Sequence, residues 1–240
     1  MESQLQFEIG RQPDLFTCGP TCLQAVYRFF NYETQLQNVI DETPRLENGG
    51  TLAVSLACHA LERGFRAMIH TWNLLVFDPT WFPSDPADLR AALIEQQQLK
   101  QDPRIQQASE VYLRFLELGG ELRMDDLNSS LIRKYLKKNI PILTGLSATY
   151  LYREPREYGL DSHPDPIRGT PQGHFVVLCG YDSTQRKVLV ADPLHPNPLA
   201  NQNQKYLVGL DSVICSIMLG IVTYDANLLI LIPPDREITF

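Results

Sequence analysis

Residues 173 to 193, "GHFVVLCGYDSTQRKVLVADP", hold two apolar, branched runs separated by a short polar turn. That pattern closes as an antiparallel hairpin and commits the second half of the chain to a sheet. "PILTGL" at 141–146 and "NLLILI" at 227–232 read as further strands, with one helix inside 208–219. The first half reads differently. After Thr17, Pro20 falls in a first helical turn, and Cys22, Ala25, Val26, Phe29 and Phe30 recur at the spacing of one helix face. A second helix runs from Thr51 to Arg63 and stops at Gly64, after which "FRAMIHTW" is a strand.

Asp85 with Pro86 and Asp102 with Pro103 are two cap-plus-proline starts, for helices over about 86–98 and 103–118. Another helix over 129–138 ends at Asn139. Residues 73–86, with three prolines and three bulky aromatics, read as an ordered, packed loop. Helices first and an antiparallel sheet later make an α+β layout, read as one domain over 1–240 with a helical elaboration around 73–120.

Hydrophobic residues at 44% and charged residues at 20% mark a folded chain. A net charge of -7 argues against a nucleic-acid partner, which calls for a basic stripe. The N-terminus lacks a basic start followed by an apolar run, and no segment reaches the length of a membrane span, so a cytoplasmic protein is expected. The five cysteines, at 18, 22, 58, 179 and 215, lack the spacing of a disulfide scaffold or a zinc ribbon and read as reduced thiols. Neither a metal nor an organic cofactor is called for.

Cys18 stands at a helix start in "TCGPT". A thiol ionises at about pH 8.5 on its own, and a helix N-terminus favours the thiolate through unpaired N–H groups and the dipole. Gly19 has no side chain and Pro20 no N–H, so a substrate carbonyl can come close to the sulfur. Read alone, Cys18 merely extends the apolar face that continues at Cys22.

A cysteine nucleophile needs a histidine base and a group to orient it. Of five histidines, His59 lies in a helix and His70 in a strand, as core or surface residues, while His163 and His195 lie in polar loops. His174 alone opens a strongly apolar strand, and Asp192 ends the strand that pairs with it. Asp192 reaches the imidazole only if both lie on one sheet face. A two-residue turn at Thr184 and Gln185 would put Asp192 on the wrong face, so an odd connection of three or five residues centred on Thr184 is expected, pairing Val176 with Asp192.

Gln12, "TCGPTCLQAV", "GGTLAVSLACHALERGF", "LKKNIPILTGL", "GHFVVLCGYD" and "VLVADP" together resemble the papain-like cysteine peptidases, in particular the branch with the double-glycine leader peptidases that process bacteriocin precursors. The resemblance implies that fold and assigns roles: Cys18 attacks, Gln12 helps form the oxyanion hole, His174 is the base, and Asp192 orients it. The best-known members of that branch are fused to a membrane transporter, and residues 66–118 here look longer and more helical than a minimal domain needs. The added segment is expected to build a lid or a partner surface, or to enlarge the core.

The leading reading is a cysteine hydrolase of a peptide or isopeptide bond, working through a thioester acyl-enzyme on a peptide or protein substrate. Gly19 and Gly173 flank the nucleophile and base as substrate-binding positions, and the loop before His174 walls the groove, with Tyr150, Tyr152 and Tyr158 available for peptide contacts. Passing the same thioester to an amine would make an acyltransferase or transglutaminase-type enzyme. A non-catalytic peptide-binding module partnering a peptide ligase or a transporter is the third reading.

Overall fold

The computed structural model describes residues 3–46, 49–82, 86–159, 161–200 and 204–236, with 86 and 87 described by their backbone alone. The first helix, α1, spans Cys18–Phe29 and buries Cys22, Ala25 and Val26 on its inner face, with Phe29 half-buried. It ends where Asn31 turns left-handed at φ 59°. A short helix not read from the sequence, α2 at Leu36–Glu42, follows; Val39 and Ile40 bury it, and no side chain caps its start. Helix α3 at Ala53–Leu61 stops before Gly64, whose φ of 80° suits a residue without Cβ.

The strands of the main sheet are β1 Ser3–Gln4, β2 Arg66–Thr71, β3 Glu121–Arg123, β4 Ile142–Ser147, β7 Gly173–Asp182, β8 Lys187–Ala191, β9 Lys205–Gly209 and β10 Asn227–Ile232. A separate hairpin of β5, Glu157–Tyr158, and β6, His163–Pro164, lies between β4 and β7 in the chain. The main order is β3-β2-β10-β4-β7-β8-β9, with β1 paired to β7. The sheet is therefore not confined to the second half of the chain. Strand β10 inserts between β2 and β4, antiparallel to both, while β3 joins β2 in parallel. All six residues of β10 and of β4 are buried, as an interior strand covered on both faces requires.

The segment around 73–120 is the crossover between the parallel strands β2 and β3. It contains a loop described over 72–82, in which Phe77 is buried and stands edge-on to Tyr112, then helices α4, Pro86–Leu99, and α5, Pro103–Glu117. Asp102 caps α5 by accepting from the N–H groups of Arg104 and Ile105. The expected start at Asp85 lies outside the described residues. Leu89, Leu93, Ala108, Tyr112 and Phe115 join the same core cluster as α1 and the sheet, so the crossover enlarges the core. Helix α6 at Ser129–Lys137 ends before a left-handed Asn139, α7 at Ala148–Tyr152 extends β4, and α8 at Leu210–Leu219 follows β9. No helix among the described residues is long and apolar enough to cross a membrane.

Candidate active site

The hairpin of β7 and β8 reaches its register by a route other than the expected one. Asp182 pairs with Lys187, so the connection is Ser183 through Arg186, an even count where an odd one was expected. Gly180 then pairs with Leu189 but Leu178 with Val190, a bulge that leaves Cys179 unpaired with β8. Below the bulge Val177 faces Ala191. Continuing that register sets Asp192 beside Val176, diagonal to His174 and on its face. The bulge does what the turn was expected to do.

His174 Nε2 meets Asp192 Oδ1 at 2.8 Å. Cys18 also acts on the imidazole, and with Nε2 turned to Asp192, Nδ1 is the nitrogen left for the sulfur. Asp192 is fully buried, yet its charge is well served: Oδ1 also accepts from the Leu194 N–H at 3.0 Å, and Oδ2 accepts from the Tyr152 and Tyr206 hydroxyls, each at 2.7 Å. Burial opposes the carboxylate, but the charge and hydrogen bond of His174, with help from Tyr152 and the Leu194 N–H, hold it near a pKa of about 2. For His174 burial favours the neutral ring; the Asp192 charge and then Cys18 outweigh it and raise the imidazole to about 10. Burial, and then Asp192, push both phenols far above their ordinary range, so they stay donors.

Cys18 is the first residue of α1 and is partly exposed. No side chain caps this helix, because the Thr17 hydroxyl turns back to the backbone of Asp14. The first amides of α1 thus remain open to an anion. Gln12 Nε2 donates to the Asp14 carbonyl at 2.8 Å, which leaves its second amide proton, while Oε1 is buried without a partner. Gly19 faces inward: a Cβ there would lie 3.2 Å from both Leu56 and Phe175, so this glycine lets the helix start pack flush on the core. Gly173 is exposed at the start of β7 and pairs with Ser147.

The remaining histidines are accounted for elsewhere. His59 bonds the Tyr27 hydroxyl, His70 bonds the Tyr135 hydroxyl and sits against Asp125, and His163 and His195 are exposed. Tyr152 departs from its expected place in the groove wall, since it is buried beneath the site and serves Asp192. Tyr206 escaped the sequence reading because β9 did; it is the one buried residue of that strand and faces Val190 of β8.

The family described as "Peptidase_C39 like family" matches residues 103–208, a stretch that includes Tyr152, His174, Asp192 and Tyr206 and lies downstream of Cys18. No curated protein sequence matches the chain significantly. Among solved structures, a protein from Bacillus anthracis described as a C39-like peptidase superposes with a TM-score of 0.50 at 12% identity, covering 98% of both chains. The peptidase domain of Streptococcus ComA, a bifunctional ABC transporter of a quorum-sensing pathway, gives 0.43 at 12% identity over 95% of this chain and 99% of its own. A double-glycine-motif protease from an AMS/PCAT transporter, solved with its leader peptide, gives 0.45 at 11% over 96% and 94%. The fold is α+β and papain-like, and the family match supports a cysteine peptidase.

Proposed function

We propose that the chain cleaves a peptide or isopeptide bond through a thioester on Cys18, with His174 as acid and base and Asp192 orienting it. The observation that carries this reading is the hydrogen bond of His174 to a buried carboxylate, on an imidazole that Cys18 also acts on. A cationic imidazole beside the sulfur, at an uncapped helix start, is the setting in which a cysteine attacks as thiolate. The tetrahedral oxyanion takes the Cys18 N–H and the second Nε2 proton of Gln12. His174 then protonates the leaving amine, and a water that it deprotonates releases the acid product.

Gly173 offers an exposed backbone at the foot of the strand that carries the base, and Gly19 keeps the helix start close enough to bring Cys18 to it. A peptide or protein is the substrate, with a peptide ligase or a transporter as candidate partner. The whole of 1–240 is read as one peptidase domain. Five cysteines, all free, favour a reducing compartment, the cytoplasm. The test is a peptide-library cleavage profile with wild-type and Cys18→Ala protein, repeated with added amine. Cleavage that vanishes in Cys18→Ala supports the reading, an amide product with the added amine would make it an acyl transfer, and cleavage that persists in Cys18→Ala refutes it.

A further inference from the structure

The reaction leaves Asp225 unused, although the structure goes to some length to keep it. Its side chain is buried, and it stands between two non-glycine residues in left-handed backbone, Tyr224 at φ 65° and Ala226 at φ 55°. Oδ2 lies 3.1 Å from the Thr223 hydroxyl, which also lies 3.0 Å from the Gly220 carbonyl and has one proton for the two. Oδ1 has no hydrogen-bond partner. Asp225 has no ion-pair partner among the described residues. Burial pushes its carboxyl up to about 8, against the Thr223 hydroxyl and the His174 charge.

Two glycines make room for this group. A Cβ on Gly145 would lie 2.6 Å from Oδ1, and one on Gly173 would lie 2.8 Å from Oδ2. Gly145 pairs with Phe175, so Gly145 and Gly173 lie on one face of neighbouring strands. Gly173 is exposed and directly precedes His174. The carboxyl therefore lies against the exposed glycine that starts the strand holding the proposed base. Val222, on the same turn as Thr223, and Leu219, beside Gly220, present exposed apolar side chains. Neighbours hold the turn from behind: Asn73 Nδ2 donates to the Tyr224 carbonyl, the Trp72 N–H donates to that of Ala226, and the Arg104 guanidinium lies over the Tyr224 ring.

We propose that Asp225 is a specificity-determining residue that reads a lysine or arginine side chain of the substrate as it crosses Gly173, the cation meeting Oδ2 and the aliphatic stem lying along Val222. This rests on the peptidase reading above, and it adds a substrate class: peptides with a basic residue next to the cleaved bond. A lone buried carboxyl is a costly group to keep without a partner, and a substrate cation supplies the partner the fold lacks.

The test measures binding and needs no turnover. Peptides with a reduced, uncleavable bond compete with iodoacetamide for Cys18, with lysine, acetyl-lysine or norleucine placed at each position flanking that bond. The lysine peptide should protect Cys18 at about tenfold lower concentration than its norleucine or acetyl-lysine counterpart at one position, and Asp225→Asn should erase the difference. Equal protection by lysine and acetyl-lysine in the wild-type protein would overturn the inference, as would a preference that survives in folded Asp225→Asn. The acetyl-lysine comparison decides even if Asp225→Asn does not fold. Failure of the peptidase reading shows separately, as cleavage that does not require Cys18.

Discussion

The backbone N–H of Gln12 donates to the carbonyl of Pro193 at 3.0 Å, which ties the loop before the nucleophile to the residue after Asp192. The proposed oxyanion side and the proposed acid–base side of the site are thus tied together, although they come from segments far apart in the chain.

The most exposed of these assignments is Gln12. Its side-chain bond to the Asp14 carbonyl is at the surface and contributes little to stability. Gln12→Ala should therefore leave the melting temperature almost unchanged and lower kcat about a hundred- to a thousandfold on a cleavable peptide. Undiminished turnover in the folded variant would leave the oxyanion hole to backbone donors alone.

Tyr152 and Tyr206 both donate to Asp192 Oδ2. Removing either hydroxyl leaves a buried carboxylate short of a charge-assisted hydrogen bond, at a cost of about 1.5–3 kcal/mol. Tyr152→Phe and Tyr206→Phe should each lower stability by that order in denaturant titrations, and the double variant should depart from additivity because the two share one oxygen. Two neutral single variants would mean that the carboxylate is satisfied by other groups.

The His174–Asp192 pair also sets a pH window for stability. The imidazole rises from 6.5 to about 10 on folding, so its contribution is complete below 6.5 and is lost as pH climbs through about 10. The carboxylate falls from 3.8 to about 2, so its contribution is complete above 3.8 and is lost as pH drops through about 2. Both apply in full between roughly pH 4 and 6.5. The stability gap between wild type and Asp192→Asn, followed by urea unfolding, should be widest there and close toward alkaline pH. A gap that grew toward pH 10 would contradict the charges assigned to the pair.

Much of this arrangement was legible in the residues themselves. Cys18 before Gly19 and Pro20 marked a helix start, and the apolar runs after His174 and before Asp192 marked a paired hairpin, because burial on both faces leaves unbroken apolar runs. The bulge was not legible: Cys179 is an apolar residue in an apolar run, and what singles it out is that the Leu5 N–H, just after β1, donates to its carbonyl. Strands β3 and β9 are short edges with few buried residues, and local pattern cannot distinguish such segments from loops. Asp225 falls in a turn just ahead of an apolar strand, and only the fold shows the two glycines facing it.

The most direct test of the central claim compares the rates at which iodoacetamide modifies Cys18 and Cys215. Cys215 is exposed and Cys18 only partly so, while Cys22, Cys58 and Cys179 are buried, so accessibility alone predicts that Cys215 reacts first. If Cys18 is a nucleophile activated by His174, it reacts at least about tenfold faster than Cys215 at pH 6, where an unassisted thiol is almost wholly protonated, and His174→Ala abolishes the advantage. A faster Cys215, or a Cys18 rate indifferent to His174→Ala in folded protein, would contradict the account.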